Sequence, residues 1–211
     1  MVNQKFIRWS GLVLLIAGIL YMPGIFHPPD TPEGILYPAW IPVHAGFFIH
    51  HLLLVFGLIG LYFFIAEKAG RLGLVAFVMT LSSNVMFPTL DIVQITLYPI
   101  LAKLPATQAL INPKQAGMFG VMILVSVVVA LIGNILFGIA IIQTRVISRW
   151  VGSLFIVGWI CFFIGSGSST LAILKPFGII LSGVGYIWGG YAIWKADDMV
   201  TNIKQTNVTV K

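Results

Sequence analysis

Charge is what this sequence has least of. Asp, Glu, Lys and Arg make up 9% of its 211 residues, against roughly 25% in an ordinary soluble domain, so water is not its main solvent. A soluble fold could not cover the 59% of hydrophobic residues, whereas a bundle in lipid leaves its outer faces to acyl chains. Acids are scarcest, six in all, and Asp91 is the sole one inside an apolar run, which leaves no second intramembrane carboxylate for a relay to the far side. The single cysteine, Cys161, lies between Ile160 and Phe162; it excludes an internal disulfide and reads as a packing residue. No His-Glu-x-x-His, phosphate loop or Gly-x-Ser-x-Gly occurs, and no histidine follows His51, so the familiar hydrolase and nucleotide motifs are missing. The net charge of +6 does not argue for nucleic acid, because the Lys and Arg are scattered between apolar runs rather than clustered.

What is present is a series of apolar runs, each near the 20 residues a bilayer requires. Six are expected as transmembrane helices of one all-α polytopic bundle: 9–26, 43–66, 72–98, 118–142, 149–168 and 171–194. The first follows Lys5 and Arg8 without a small-x-small cleavage site, so it reads as an uncleaved helix. The last two are parted only by residues 165–170, where a re-entrant turn is the alternative to a full hairpin. Counting cations on alternate sides puts Lys5, Arg8, Lys68, Arg71, Arg145, Arg149, Lys195, Lys204 and Lys211 on one side, and Lys103, Lys114 and Lys175 on the other. The positive-inside bias then places both termini in the cytoplasm and the chain in the cytoplasmic (inner) membrane. Trp9, Trp40, Trp150 and Trp194 fall at span ends, where aromatic rings favour the headgroup region. One domain, 1–194, is expected, followed by a loose polar cytoplasmic tail, 195–211, with Asp197, Asp198, Asn202 and Gln205.

Gly178, Ser182, Gly185 and Gly189 recur at helical spacing on the last run and form a small-residue stripe. Such stripes let helices approach closely in lipid. The stripe serves packing within the chain or, by the same chemistry, a homo-oligomer or a partner membrane protein.

The polar residues are the most informative. All four histidines lie between 27 and 51. His44 and His51, seven apart, share a helical face about 10 Å apart along the axis, and His50 points about 100° away. Two ligands on one helix need closer spacing to share a metal, so a second helix must contribute. Asp91 lies about 30 Å along the third run, level with the histidines, and Asn84 and Gln94 extend a polar stripe through it. Pro88 frees a backbone carbonyl nearby and predicts a kink. His44, His51, Asp91 and Gln94, with His50 and Asn84, are therefore the candidate ligand-binding or proton-active residues, and His44, His51 and Asp91 the set for any metal. The first loop holds Pro23, Pro28, Pro29, Pro32, Pro38 and Pro42; with Tyr37 and Trp40 it could lie over the bundle as a lid or serve as an inert connector.

Four stretches carry a resemblance: Tyr37-Pro38-Ala39-Trp40-Ile41-Pro42-Val43-His44, Gly57-Leu58-Ile59-Gly60-Leu61-Tyr62, Gly70-Arg71-Leu72-Gly73 and Arg149-Trp150-Val151-Gly152. Together they resemble an uncharacterised family of small bacterial multi-pass membrane proteins. The resemblance implies the six-helix architecture, a histidine at the place of His44 and an acid near that of Asp91, and brings no activity. Three functions stay open: binding or transport of a small ligand, proton or metal ion in an outer-half pocket; a non-catalytic module acting through a partner; and a His/Asp-dependent enzyme or haem or metal protein. No cofactor is named by any motif.

Overall fold

A computed structural model describes residues 3–112 and 115–209, with side chains as far as Ala196. The described residues hold helices and no strand: α1 (Gln4–Tyr21), a 3-10 turn (Met22–Phe26), α2 (Pro32–Ile35), α3 (Trp40–Thr96), α4 (Tyr98–Lys103), a second 3-10 stretch (Pro105–Ile111), α5 (Met118–Thr144), α6 (Arg149–Gly167) and α7 (Leu174–Thr209). Helices are what lipid demands, since each satisfies its own backbone hydrogen bonds. Five stretches are long and apolar enough to cross a membrane: Gln4–Phe26, Trp40–Lys103, Met118–Thr144, Arg149–Gly167 and Leu174–Ala196.

The count of five, against the six runs of the sequence, comes from α3. It continues through the polar link between the second and third runs, and only Gly70 departs from helical dihedrals (φ 57°, ψ −155°). That single residue turns the chain back on itself. Tyr62 stacks on Phe77 with centroids 4.3 Å apart, His51 meets Asp91, and the Trp40 indole N–H donates to the Gln94 carbonyl. These pairs lie progressively further on either side of Gly70, so arms 40–69 and 71–96 run antiparallel and in contact. Pro88, where a kink was expected, leaves the dihedrals helical. A β-carbon at Gly70 would meet nothing within 4 Å, so Gly70→Ala is a purely conformational test. It is expected to cost about 1–3 kcal/mol in thermal unfolding in detergent; a variant as stable as the parent would mean the turn is not made at this residue.

The six segments form a closed ring in chain order. Arm 40–69 packs on α1, arm 71–96 on α5, α5 on α6, α6 on α7, and α7 returns to α1. Contacts rest on missing side chains: a β-carbon at Gly11 would lie 2.7 Å from the Gly190 carbonyl oxygen, and one at Gly18 2.7 Å from that of Gly183. The stripe Gly178, Ser182, Gly185 and Gly189 faces α6, against Phe162, Gly158, Phe155 and Val151. It is thus occupied within the chain. Gly183 and Gly190, which the sequence reading did not single out, form the second face of α7 against α1. Close backbone approach of this kind drives association in lipid through dispersion.

Polarity is inverted relative to a water-soluble bundle. Phe56, Val78, Leu124 and Val157 are exposed, while Asn84, Asn134, Ser83, Ser126 and Ser182 are buried. Leu14, Leu54, Leu58, Leu61, Ile65, Phe137, Phe155 and Tyr186 fill the core. A second cluster, Ile35, Trp40, Tyr98, Ala102 and Ile111, closes one end beneath α2 and α4. Here one expectation is corrected: Trp9 and Trp150 are exposed as interfacial rings should be, but Trp40 is 0% exposed because its N–H is used inside the cap. Tyr37, paired with it as a lid residue, is exposed. The link 168–173 is a plain turn between α6 and α7, and the two helices pack as a hairpin. The backbone of α7 continues to Thr209, whereas the side chains of Asp197, Asp198, Asn202 and Gln205 in the expected tail, and Lys114, lie outside the described residues.

Candidate functional site

Beneath the cap lies a cavity of about 200 Å3, somewhat larger than the roughly 150 Å3 pocket that admits benzene. Its walls are mostly apolar: Phe47, Phe87, Leu90, Phe119, Ile123, Val127, Trp159 and Phe162. Its polar groups are His51 and Asp91, His44 and His27, Lys175 and Asp30, with Gln94 and Ser166.

His51 and Asp91 come together because the arms of α3 are antiparallel. The His51 Nδ1 to Asp91 Oδ2 distance is 2.8 Å, with 11% and 6% of the side chains exposed. Phe87 stacks on the imidazole at 4.8 Å. A buried carboxylate bonded to one ring nitrogen fixes the ring and leaves Nε2 as the atom able to take or give a proton.

The second polar group lies further towards the cap. The His44 Nδ1–H donates to the Trp40 carbonyl oxygen at 2.9 Å, since a carbonyl can only accept. The His44 Nε2 is then a lone pair, and the His27 Nε2, 3.3 Å away, must carry the proton between them. The His27 Nδ1 in turn accepts from the Lys175 ammonium at 3.4 Å. The order of donors, Lys175 to His27 to His44 to Trp40, is set by this end point. Lys175 also lies 3.8 Å from Asp30, whose carboxylate is exposed. Phe47 stands between the two polar groups, with its centroid 6.0 Å from that of His44 and 6.4 Å from that of His51.

Burial, then the Lys175 ammonium and His44, push His27 down to about 4, against the opposing pull of Asp30. The sign follows from the lowered value. The unfolded chain takes up a proton near 6.5 that the folded protein refuses until about 4, so stability is fully present above that window and is lost as pH falls through it. The loss is expected to reach up to about 3 kcal/mol, read as the drop in unfolding temperature between pH 7 and 4. His27→Gln should flatten it; an equally steep fall in that variant would assign the acid sensitivity elsewhere.

Other expected site residues are placed differently. His50 turns away: its Nδ1–H donates to the Ala17 carbonyl at 2.8 Å and its ring stacks on Tyr21, so it ties α3 to α1. Asn84 does not line the cavity; its amide N–H donates to the Thr80 carbonyl of its own helix at 2.7 Å, because it lies two turns below Asp91. His44, His51 and Asp91 do not assemble as metal ligands, and no group of three or more His, Cys, Asp or Glu that could hold a metal occurs among the described residues. His44 is committed to Trp40 and His27, with Phe47 between it and the inner pair. The sequence reading missed His27, Lys175 and Asp30 as site residues. His27 belonged to the histidine cluster, but its contact with Lys175 spans 148 positions and leaves no local signal.

The fold and site define an all-helical protein with helices of membrane-crossing length and a buried His–Asp pair at the base of a cavity that joins apolar walls to a cluster of polar groups. No protein-family model, curated protein or solved structure matches the chain.

Proposed function

We propose that this is a multi-pass inner-membrane protein, crossing the bilayer six times with both termini cytoplasmic, that binds a small ligand in the outer-half cavity and exchanges a proton with it through His51 and Asp91. The observation that carries the reading is the 2.8 Å His51–Asp91 contact at the base of a cavity that combines aromatic and aliphatic walls with a second polar group of His44, His27, Lys175 and Asp30. Burying a carboxylate in lipid is costly unless it has a partner or a purpose, and here a titratable partner shares its open space. The orientation is supported by the cations: Arg8, Lys68, Arg71, Arg145, Arg149 and Lys195 gather at the end bearing the Gly70 turn, and Lys103 and Lys175 at the cavity end. Six crossings follow if each arm of α3 spans the bilayer. The resemblance to bacterial multi-pass proteins points the same way.

Binding is favoured over conduction. Below the pair the core is filled by Leu54, Leu58, Leu61, Phe137 and Phe155, all fully buried, and the polar side chains buried among the described residues there, Asn84, Thr80, Ser83 and Asn134, include no titratable group to relay a proton. A role through a partner has less support, because the glycine stripe that would serve it is covered by α6. Native mass spectrometry of protein purified in mild detergent tests the reading. A reproducible small-molecule adduct, lost in His51→Ala and Asp91→Asn, is expected; an adduct-free protein, or one whose adduct ignores both changes, would sink it.

A further inference from the structure

We infer that the ligand is a single-chain carboxylate amphiphile, a long-chain fatty acid, whose tail lies in a lipid-facing groove between the outer ends of α5 and α6 and whose carboxylate enters the polar cavity beside Lys175. This inference rests on the cavity reading above and names its ligand class and entry route.

The groove follows from how α5 and α6 diverge. At the end near Arg145 they touch backbone to backbone: a β-carbon at Gly138 would lie 2.6 Å from the Gly152 carbonyl oxygen. Towards the cavity end α6 leaves α5 and leans on α7, so that Gly165 packs directly on Lys175, yet a β-carbon at Gly167 would meet nothing within 4 Å. The space opened measures about 620 Å3 and is lined by Gly117, Gly120, Leu124, Phe163 and Gly167 among others. Leu124 and Val121 on its rim are 61% and 52% exposed, so in a bilayer its open side faces acyl chains.

Continuity gives the groove its occupant. Ile123, Val127 and Ser166 line both this groove and the polar cavity, and a molecule lying across that shared wall has its apolar part in lipid and its head beside the histidines. With about 620 Å3 in the groove and about 200 Å3 in the cavity, the space suits one tail and a small head. Lys175 is the ammonium on the cavity wall among the described residues. Its contact with Asp30 is long, 3.8 Å, and the Asp30 side chain is 60% exposed, so the cation is open to a second anion. One negative charge on one tail fits these walls.

The test places the protein in phosphatidylcholine nanodiscs with palmitic acid carrying a mid-chain diazirine, and maps photolabelled peptides. Saturable labelling confined to residues 118–127 and 163–167 is expected, competed by palmitate and at least about tenfold less well by hexadecanol. Gly167→Phe should remove most of the labelling by filling the groove, and Lys175→Gln should raise the half-saturating concentration about tenfold. Should Gly167→Phe fail to fold, Leu124→Trp fills the groove from its exposed rim. Labelling spread over all lipid-facing helices, equal competition by hexadecanol, or insensitivity to the groove-filling variants would overturn the assignment. Stronger competition by a lysophosphatidate would overturn the carboxylate head. If groove labelling fails while the Asp91-dependent adduct persists, the lateral route falls and the cavity reading stands; loss of both removes both.

Discussion

Asp91→Ala is expected to lower stability by about 1–3 kcal/mol and to abolish the bound adduct, whereas Asp91→Asn abolishes the adduct with little loss of stability. The two variants separate structural from chemical roles. In the parent, His51 donates its Nδ1–H to Asp91 within a site almost closed to solvent. Alanine leaves that N–H without an acceptor, and an unsatisfied buried donor costs on the order of 1–3 kcal/mol. Asparagine can still offer a carbonyl oxygen, so the ring stays in place, but it has no carboxylate through which to exchange a proton with the ligand. The split is read by thermal unfolding and native mass spectrometry of both proteins in one detergent. If Asp91→Asn retained the adduct, the pair would be a polar contact between two arms of a hairpin and nothing more.

The other large effect concerns closure of the ring. Gly11→Leu and Gly190→Leu are expected to prevent α1 and α7 from packing, with loss of a monodisperse folded species. Ordinary overpacking costs typically 1–3 kcal/mol because neighbours can shift. Here they cannot shift cheaply: the nearest atoms to a new β-carbon at Gly190 include the Gly11 carbonyl oxygen and the Leu15 amide nitrogen, both at 2.5 Å. Gly46 provides the control, since its β-carbon would meet a single atom, the Leu20 carbonyl oxygen at 3.7 Å, and Gly46→Ala should unfold with the parent. Equal unfolding temperatures for Gly11→Leu and Gly46→Ala would refute the α1–α7 contact.

The helices were legible because lipid imposes one rule on every residue of a span, and runs such as 118–142 obey it with no competing signal. The turn at Gly70 was harder, since Glu67, Lys68 and Arg71 mark a boundary but say nothing of whether helix continues through it. In the site, the level shared by His51 and Asp91 follows from helix rise alone. His50 and His51 are adjacent in sequence and could not be told apart until the position of α1 decided which imidazole met a carbonyl and which met a carboxylate. Asn84 looked like part of one stripe with Asp91, but a stripe two turns deep crosses from cavity wall to packed core. Lys175 gave only a topological vote in the sequence; its chemistry arises from the seat that Gly165 offers its backbone.

The ring has a further consequence for how the protein is made. A ribosome delivers the segments in order, and each new one lies against its predecessor, so the first five can assemble as they emerge. The circle then has a gap where α7 belongs, between α1 and α6, and through it Tyr21 and His50 are uncovered on the side where Tyr186 of α7 otherwise meets them. The cavity, too, lacks its ammonium until Lys175 arrives. Assembly of the ring therefore ends with a single committing event, the entry of the last helix, which covers that seam and completes the cavity in one step.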